Sequence, residues 1–205
     1  MDNLINFDRN GNRAIAPARL VGEKQKKKNK KRLKEEYDGA KQEQRSMKFN
    51  SRIYGSKPIK DQLKLISYGK CSYCDRYIID VQHCDVEHFR PKSKYCWIAY
   101  TWENLLLSCQ ICNQSFKSDK FPVSENQVIS PNSDLALEQH LLINPVDEDP
   151  EVFFGYDDEG DEVSIFAKDN PTKDRVDACI DIYGLNRESL LDRRREKLLI
   201  LKIKN

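Results

Sequence analysis

Two cysteine pairs constrain this chain more than any other feature: Cys71-Ser-Tyr-Cys74 and Cys109-Gln-Ile-Cys112. Two residues between cysteines let both thiolates face one cation, while the tight turn offers backbone N–H groups to the sulfurs. Two such knuckles complete a tetrahedral four-sulfur zinc site. A site closed by four thiolates has no open position, so its Zn2+ holds the fold and performs no chemistry. The stretch between the knuckles, residues 75–108, is longer than the gap of a simple zinc ribbon and must itself be a folded insert. A redox C-x-x-C would more naturally occur once, near a βαβ pattern. The chain has 7 cysteines, an odd number, which argues against a disulfide framework. Cys84, Cys96 and Cys179 read as small buried hydrophobes.

Around that clip the chain is polar. Of its 205 residues 33% are charged and 39% hydrophobic, enough for one modest core. No stretch approaches the ~20 apolar residues of a membrane span. Residues 1–19 lack the apolar run of a secretory signal, so the expected setting is soluble and cytoplasmic, with no membrane partner. The net charge of +2 hides an asymmetry. Residues 1–50 carry 14 Lys/Arg against 7 Asp/Glu, residues 51–130 carry 11 against 8, and residues 131–205 carry 10 against 18. A basic front and an acidic rear predict a polyanion on one side and something else on the other.

Three segments follow. Residues 1–50 are expected to be a basic, weakly ordered segment, because Lys24 to Lys34 shows almost no apolar periodicity. Residues 51–130 hold the motif-dense core. It is led by an amphipathic helix over 58–68 with Ile59, Leu63 and Ile66 on one face, Pro58 in its first turn and Gly69 at its end. Extended stretches are predicted at Tyr77–Val81 and Cys84–Phe89, the latter stopped by Arg90-Pro91. A helix is predicted from about Cys109 to before Pro122. Residues 131–205 form an acidic, mostly helical extension with a hairpin over Val152–Phe166. A helix there carries Val176, Cys179, Ile180 and Tyr183 and stops at Gly184. A last helix is capped by Asn186.

The insert contains Asp85-Val-Glu-His-Phe-Arg-Pro-Lys92, and Trp102-Glu-Asn-Leu leads into the second knuckle. In an extended Cys84–Phe89, Asp85 and Glu87 share one face and His88 takes the other. Taken alone, a Glu-His pair is ordinary surface polarity. Between two zinc knuckles, and followed by Asn104 and Asn113, it is a constellation.

This order resembles the HNH endonuclease family and its ββα-metal fold. The resemblance implies an α+β chain: a zinc-stapled ββα core with flanking helices and a small hairpin. It implies His88 as general base, Glu87 and Asn113 as ligands of a catalytic divalent cation, and Asn104 as the residue that orients His88 through its backbone. Two positions depart from the commonest pattern: Glu87 where Asp is usual, and Asn113 where the family name has His. Histidine's unperturbed pKa of ~6.5 suits a base that activates water. Oxygen ligands suit Mg2+ or Mn2+, which would steady the pentacovalent phosphate. Arg90, Lys92, Lys94, Lys117 and Lys120 are candidate phosphate contacts.

A narrower resemblance rests on Gly69-Lys-Cys-Ser-Tyr-Cys74, Val86-Glu-His-Phe-Arg-Pro-Lys92, Leu142-Ile-Asn-Pro145 and Tyr183-Gly-Leu-Asn186. These are similar to the PtuB-type HNH nucleases of Septu antiphage systems and of certain retrons. That likeness implies DNA as substrate, a PtuA-type ATPase as partner and, in retrons, a reverse transcriptase with its RNA–DNA product. Two other readings compete. One is a non-catalytic zinc-finger module that holds nucleic acid or protein. The other is an HNH nuclease of a restriction-type system, which would carry a DNA-reading domain that this sequence does not display.

Overall fold

The computed structural model describes residues 20, 22–78, 84–158 and 162–204. At its centre β1 (Cys84–His88) pairs antiparallel with β2 (Leu105–Cys109), placing Cys84 opposite Cys109 and His88 opposite Leu105. The chain leaves β2 directly into a π-helix, Ile111–Lys117, so strand, strand and helix form one continuous ββα unit. Leu105, Leu106 and Leu107 are all buried, because β2 is covered on both faces. The amphipathic helix packs against it, running from Lys57 to Ile66 with Ile59, Leu63 and Ile66 buried and Pro58 in its first turn. The π-helix also contacts it.

The lysine-rich front departs from expectation. Residues Glu23–Gln42 form a 20-residue helix, here α1, with Asn29, Leu33 and Ala40 buried. Together with half-buried Glu36 these positions fall at i, i+4, i+7 and i+11, a narrow stripe on one side of the helix. Two members of the stripe are polar, which is why apolar periodicity alone does not reveal it. The stripe packs against the short turn Cys96–Ile98. The return is clamped where Glu36 accepts from Arg45 Nη1 at 2.5 Å and from the Lys48 N–H at 2.7 Å.

The rear follows its predicted outline. Phe154–Asp157 and Ser164–Ala167 form an antiparallel hairpin. The helix Lys173–Tyr183 packs on both the hairpin and the π-helix. It ends at Gly184 with φ 61°, where a Cβ would sit 2.3 Å from the Phe116 ring, so both backbone and packing require glycine. Asn186 does not cap the last helix, Glu188–Lys204. Its amide stitches the hairpin instead, accepting from the Ile165 N–H at 2.9 Å and donating to the Ile165 carbonyl at 2.8 Å. Side chains from all three sequence segments share one buried cluster, from Leu33 through Leu105 to Val176. Tyr77 makes a single bridge to Lys70. The remainder of the extended stretch predicted there, residues 79–81, and His83 lie outside the described residues. Among the described residues no helix is long and apolar enough to cross a membrane.

Candidate active site and metal centre

The sulfurs of Cys71, Cys74, Cys109 and Cys112 all lie within 4.8 Å of one another. A tetrahedron of ~2.3 Å Zn–S bonds has edges of ~3.8 Å, so a small contraction would accommodate Zn2+. The backbone is arranged for thiolates. The Cys109 N–H points at Cys71 Sγ over 3.3 Å, and the Cys112 N–H at Cys109 Sγ over 3.4 Å. A cation joins them: Arg187 Nη1 lies 3.4 Å from Cys112 Sγ and also donates to the carbonyls of Tyr183 and Gly184. The donor set therefore fits a structural zinc, and the arginine offsets part of the charge that four thiolates would carry. Cys84, Cys96 and Cys179 stay outside the cluster.

His88 sits at the far end of the strand pair, 3% exposed. Its Nε2 lies 2.9 Å from the Ala99 carbonyl. A carbonyl can only accept, so Nε2 carries the proton and Nδ1 keeps its lone pair. Burial, and then the positive charge of Lys92, pull the imidazole pKa down to about 4, which keeps the ring neutral at physiological pH. The Tyr54 ring stands edge-on to it at 4.7 Å. The expected orienting role of Asn104 falls to Ala99. Asn104 instead ties off the exit from β1, accepting from the Arg90 N–H at 2.8 Å and donating to the Arg90 carbonyl at 3.0 Å. Its own carbonyl takes the Phe89 N–H.

On the other face of β1, Asp85 and Glu87 meet the π-helix. Asn113 Nδ2 donates to Asp85 Oδ2 at 3.1 Å, and Gln114 Nε2 to the same oxygen at 2.7 Å. Glu87 pairs one turn further on with Lys117, whose ammonium is 2.6 Å from Oε1 and 3.0 Å from the His88 carbonyl. Tyr73 donates weakly to the same carboxylate at 3.4 Å. Burial pushes the Glu87 carboxyl above its ordinary range, with Lys117 pulling the other way. Around the two expected cation ligands the side chains thus form two parallel pairs, Asp85–Asn113 and Glu87–Lys117.

Two expected phosphate contacts are internal. Lys117 is fully buried against Glu87. Arg90 donates to Glu138 at 2.9 Å and lies among the rings of Phe89, Tyr95 and Phe121. Lys117 is fully buried and Arg90 partly so, and each is paired with a buried carboxylate, so neither presents its charge to a phosphate. Lys94 and Lys120 are exposed, and half-exposed Lys92 lies 5.9 Å from the Tyr54 ring centre. The sequence alone assigns no role to Asp85, Tyr54 or Ala99. Asp85 had a visible signal, its shared strand face with Glu87. Tyr54 and Ala99 had none, because the first arrives by tertiary packing and the second acts through its backbone.

Comparison with known proteins places this unit in a class. The HNH endonuclease family matches residues 71–119, so the zinc-knuckled ββα unit is an HNH domain. Over a longer stretch the chain is similar to PtuB proteins. It is 33% identical over 162 residues to the Septu protein PtuB of Bacillus mycoides (strain KBAB4), covering 72% of this chain and 53% of that protein. It is 32% identical over 107 residues to the Septu protein PtuB of Bacillus thuringiensis, covering 50% of this chain and 42% of that one. A third similarity, 30% over 142 residues, lies within the Septu protein PtuA of Bacillus mycoides (strain KBAB4), covering 62% of this chain and 19% of that protein. The chain spans about half the length of the PtuB relatives it matches. No solved structure matches it.

Proposed function

We propose that this chain is a metal-dependent endonuclease that hydrolyses DNA phosphodiester bonds and serves antiphage defence with a PtuA-type ATPase. The observation that carries the reading is the tautomer of His88: its proton is fixed on Nε2 by Ala99, and Nδ1 is free to take a proton from water. The low pKa keeps that nitrogen unprotonated at neutral pH. Glu87 and Asn113, with Asp85 beside them, offer the hard oxygen donors that Mg2+ or Mn2+ prefers. A cation bound there would stabilise the negative charge that builds on the phosphate and the departing oxygen. Lys92, Lys94 and Lys120 are the outward cations of this unit and are proposed as backbone contacts. The Septu relatives support the defence setting, and the ATPase partner follows from the PtuB-type resemblance. The proposal takes the Septu branch of that resemblance and leaves out a reverse transcriptase.

The test is plasmid cleavage in Mg2+ or Mn2+, comparing wild type with His88→Ala, each alone and with the ATPase partner. Cleavage that falls about 100-fold or more in the variant, at unchanged zinc content, is the expected result. A specific observation favours one alternative. The carboxylate expected to bind the catalytic cation already faces a buried ammonium, as it would in a non-catalytic zinc-finger module. Wild type that binds DNA or partner but cuts under no condition would establish that module and overturn the nuclease.

A further inference from the structure

With Arg90 and Lys117 turned inward, the candidate site is poor in the cations a nucleic-acid enzyme uses to seat its substrate. The front helix supplies them. On α1 the buried stripe of Asn29, Leu33 and Ala40 defines one side. On the opposite side Lys24, Lys27, Lys31 and Lys34 recur at steps of three or four residues and all four are exposed. Lys28, Lys30 and Arg32, exposed as well, flank the row. Two surface ion pairs relieve it, Lys26 with Glu23 and Lys31 with Glu35, at 3.4 and 3.7 Å. Exposed pairs of that kind contribute little, whereas like charges three and four apart repel along the whole row. A self-repelling row adds nothing to folding. It becomes favourable when a polyanion lies along it and releases its own counterions.

The row is also fixed relative to the chemistry. α1 packs on the turn Cys96–Ile98, and the next residue, Ala99, holds the proton-bearing nitrogen of His88. The return from α1 reaches the same place by a second route. The Asn50 N–H donates to Tyr100 Oη at 2.8 Å, and Tyr54 packs against the His88 ring. Helix, turn and base therefore belong to one packed unit.

We infer that the outward lysine row of α1 is a track along which the phosphodiester backbone of a DNA duplex lies as it is led to the His88 site. This inference rests on the nuclease reading and gives that reading its missing substrate surface. The row from Lys24 to Lys34 spans about 15 Å of helix axis. The same length of duplex carries about nine phosphate charges, ample for four lysines. The contact reads no bases, so the track is indifferent to sequence.

The test uses the full chain with Lys24, Lys27, Lys31 and Lys34 all changed to Gln. Binding to a 30-base-pair DNA duplex is measured across a salt series, with an RNA duplex of the same sequence as a second arm. Changing Lys168, Lys173, Lys197 and Lys202 to Gln removes the same charge from the rear. The α1 variant is expected to bind DNA at least 10-fold more weakly at 100 mM salt, with a slope of log affinity against log salt shallower by about 3.6. Zinc content and unfolding temperature should stay at wild-type values, and the rear variant should bind like wild type. Unchanged DNA affinity in the α1 variant, an equal loss in the rear variant, or loss of ATPase binding with DNA binding intact would each overturn the inference while leaving the nuclease standing. Loss on the RNA arm alone would overturn DNA as its ligand. Wild type that neither binds nor cuts DNA, alone or with its partner, would instead bring down the nuclease reading, and this inference with it.

Discussion

The four-sulfur cluster and His88 occupy opposite ends of one strand pair, and they are held in different ways. At the Cys84–Cys109 end the sulfurs converge because two tight turns aim them, with backbone N–H groups and Arg187 supplying positive charge. At the His88–Leu105 end the functional groups are held by side chains from distant segments: Tyr54, the Ala99 carbonyl and Lys117. The first arrangement is local and is shaped for a metal to close it. The second is assembled by packing, and its charge is balanced from within by a lysine. One end should therefore fail all at once when its ion is removed, and the other piecemeal as its partners are changed.

The largest expected effect belongs to the metal end. Structural zinc in small domains supplies on the order of 10 kcal/mol of folding free energy, and removing one thiolate forfeits most of it. Cys109→Ser, or prolonged chelation of wild type, is expected to abolish cooperative unfolding and the near-ultraviolet circular dichroism of the buried aromatic residues. Metal analysis should find about one zinc per chain before treatment and none after. A zinc-free chain that still unfolds cooperatively would show that packing alone closes this end.

At the His88 end the sharpest probe is Lys117→Met. It leaves Glu87 buried without a counter-charge, a change that costs about 3–5 kcal/mol when one member of a buried pair is deleted. Denaturant unfolding should report that loss, and Glu87→Gln combined with Lys117→Met should recover most of it. Recovery would also show that Lys117 serves Glu87 rather than a phosphate. If Lys117→Met unfolds at the wild-type midpoint, the buried pair does not exist in solution.

The two ends also differ in how far the sequence reveals them. A C-x-x-C knuckle is set by a turn of a few residues, so spacing alone places all four sulfurs. Strand alternation likewise separates Asp85 and Glu87 from His88. Partners escape such reasoning. Nothing near Glu87 in the chain says that Lys117 will neutralise it, or that Ala99 and not Asn104 will orient His88, because both choices are made by how the π-helix and the Cys96–Ala99 turn dock. The same limit hides the order in α1, where Asn29 and Leu33 share a stripe only once a surface exists to receive them. Asn186 shows it in small: its side chain can cap a helix or stitch a strand, and the position of Ile165 decides.

An intermediate effect is expected where the rear segment grips the core. Gly184→Ala forces a left-handed backbone on a residue with a Cβ and drives that carbon into Phe116 on the π-helix. The backbone term is about 1 kcal/mol and the overpacking a further 1–3 kcal/mol. Because Phe116 lies between Asn113 and Lys117, the strain should reach both ends: a lower unfolding temperature together with faster zinc release to a chelator. A lower unfolding temperature with unchanged zinc release would confine Gly184 to the rear segment and separate the two ends more cleanly.

The smallest effect is a matter of pH and touches neither end. Glu148 accepts two hydrogen bonds from Arg175, at 2.7 and 2.8 Å, and a third from the Asn144 N–H at 3.0 Å. Burial raises its carboxyl pKa, but these contacts outweigh burial and hold it below the ordinary value. A carboxylate whose pKa is lowered by folding stabilises the fold above the pH at which it would ionise in the unfolded chain. That contribution is lost as pH falls through the lower, folded value. Glu148→Gln should therefore cost about 1 kcal/mol near pH 7 and cost progressively less toward pH 3, flattening the acid limb of the stability curve. His140, whose pKa burial lowers, remains in the variant and still weakens it in acid, so the limb is shallower without being flat. Denaturant midpoints at pH 7, 5 and 3 measure the difference. A loss that stays constant across that range would mean the Arg175 pair acts through packing alone, with no charge coupled to the fold.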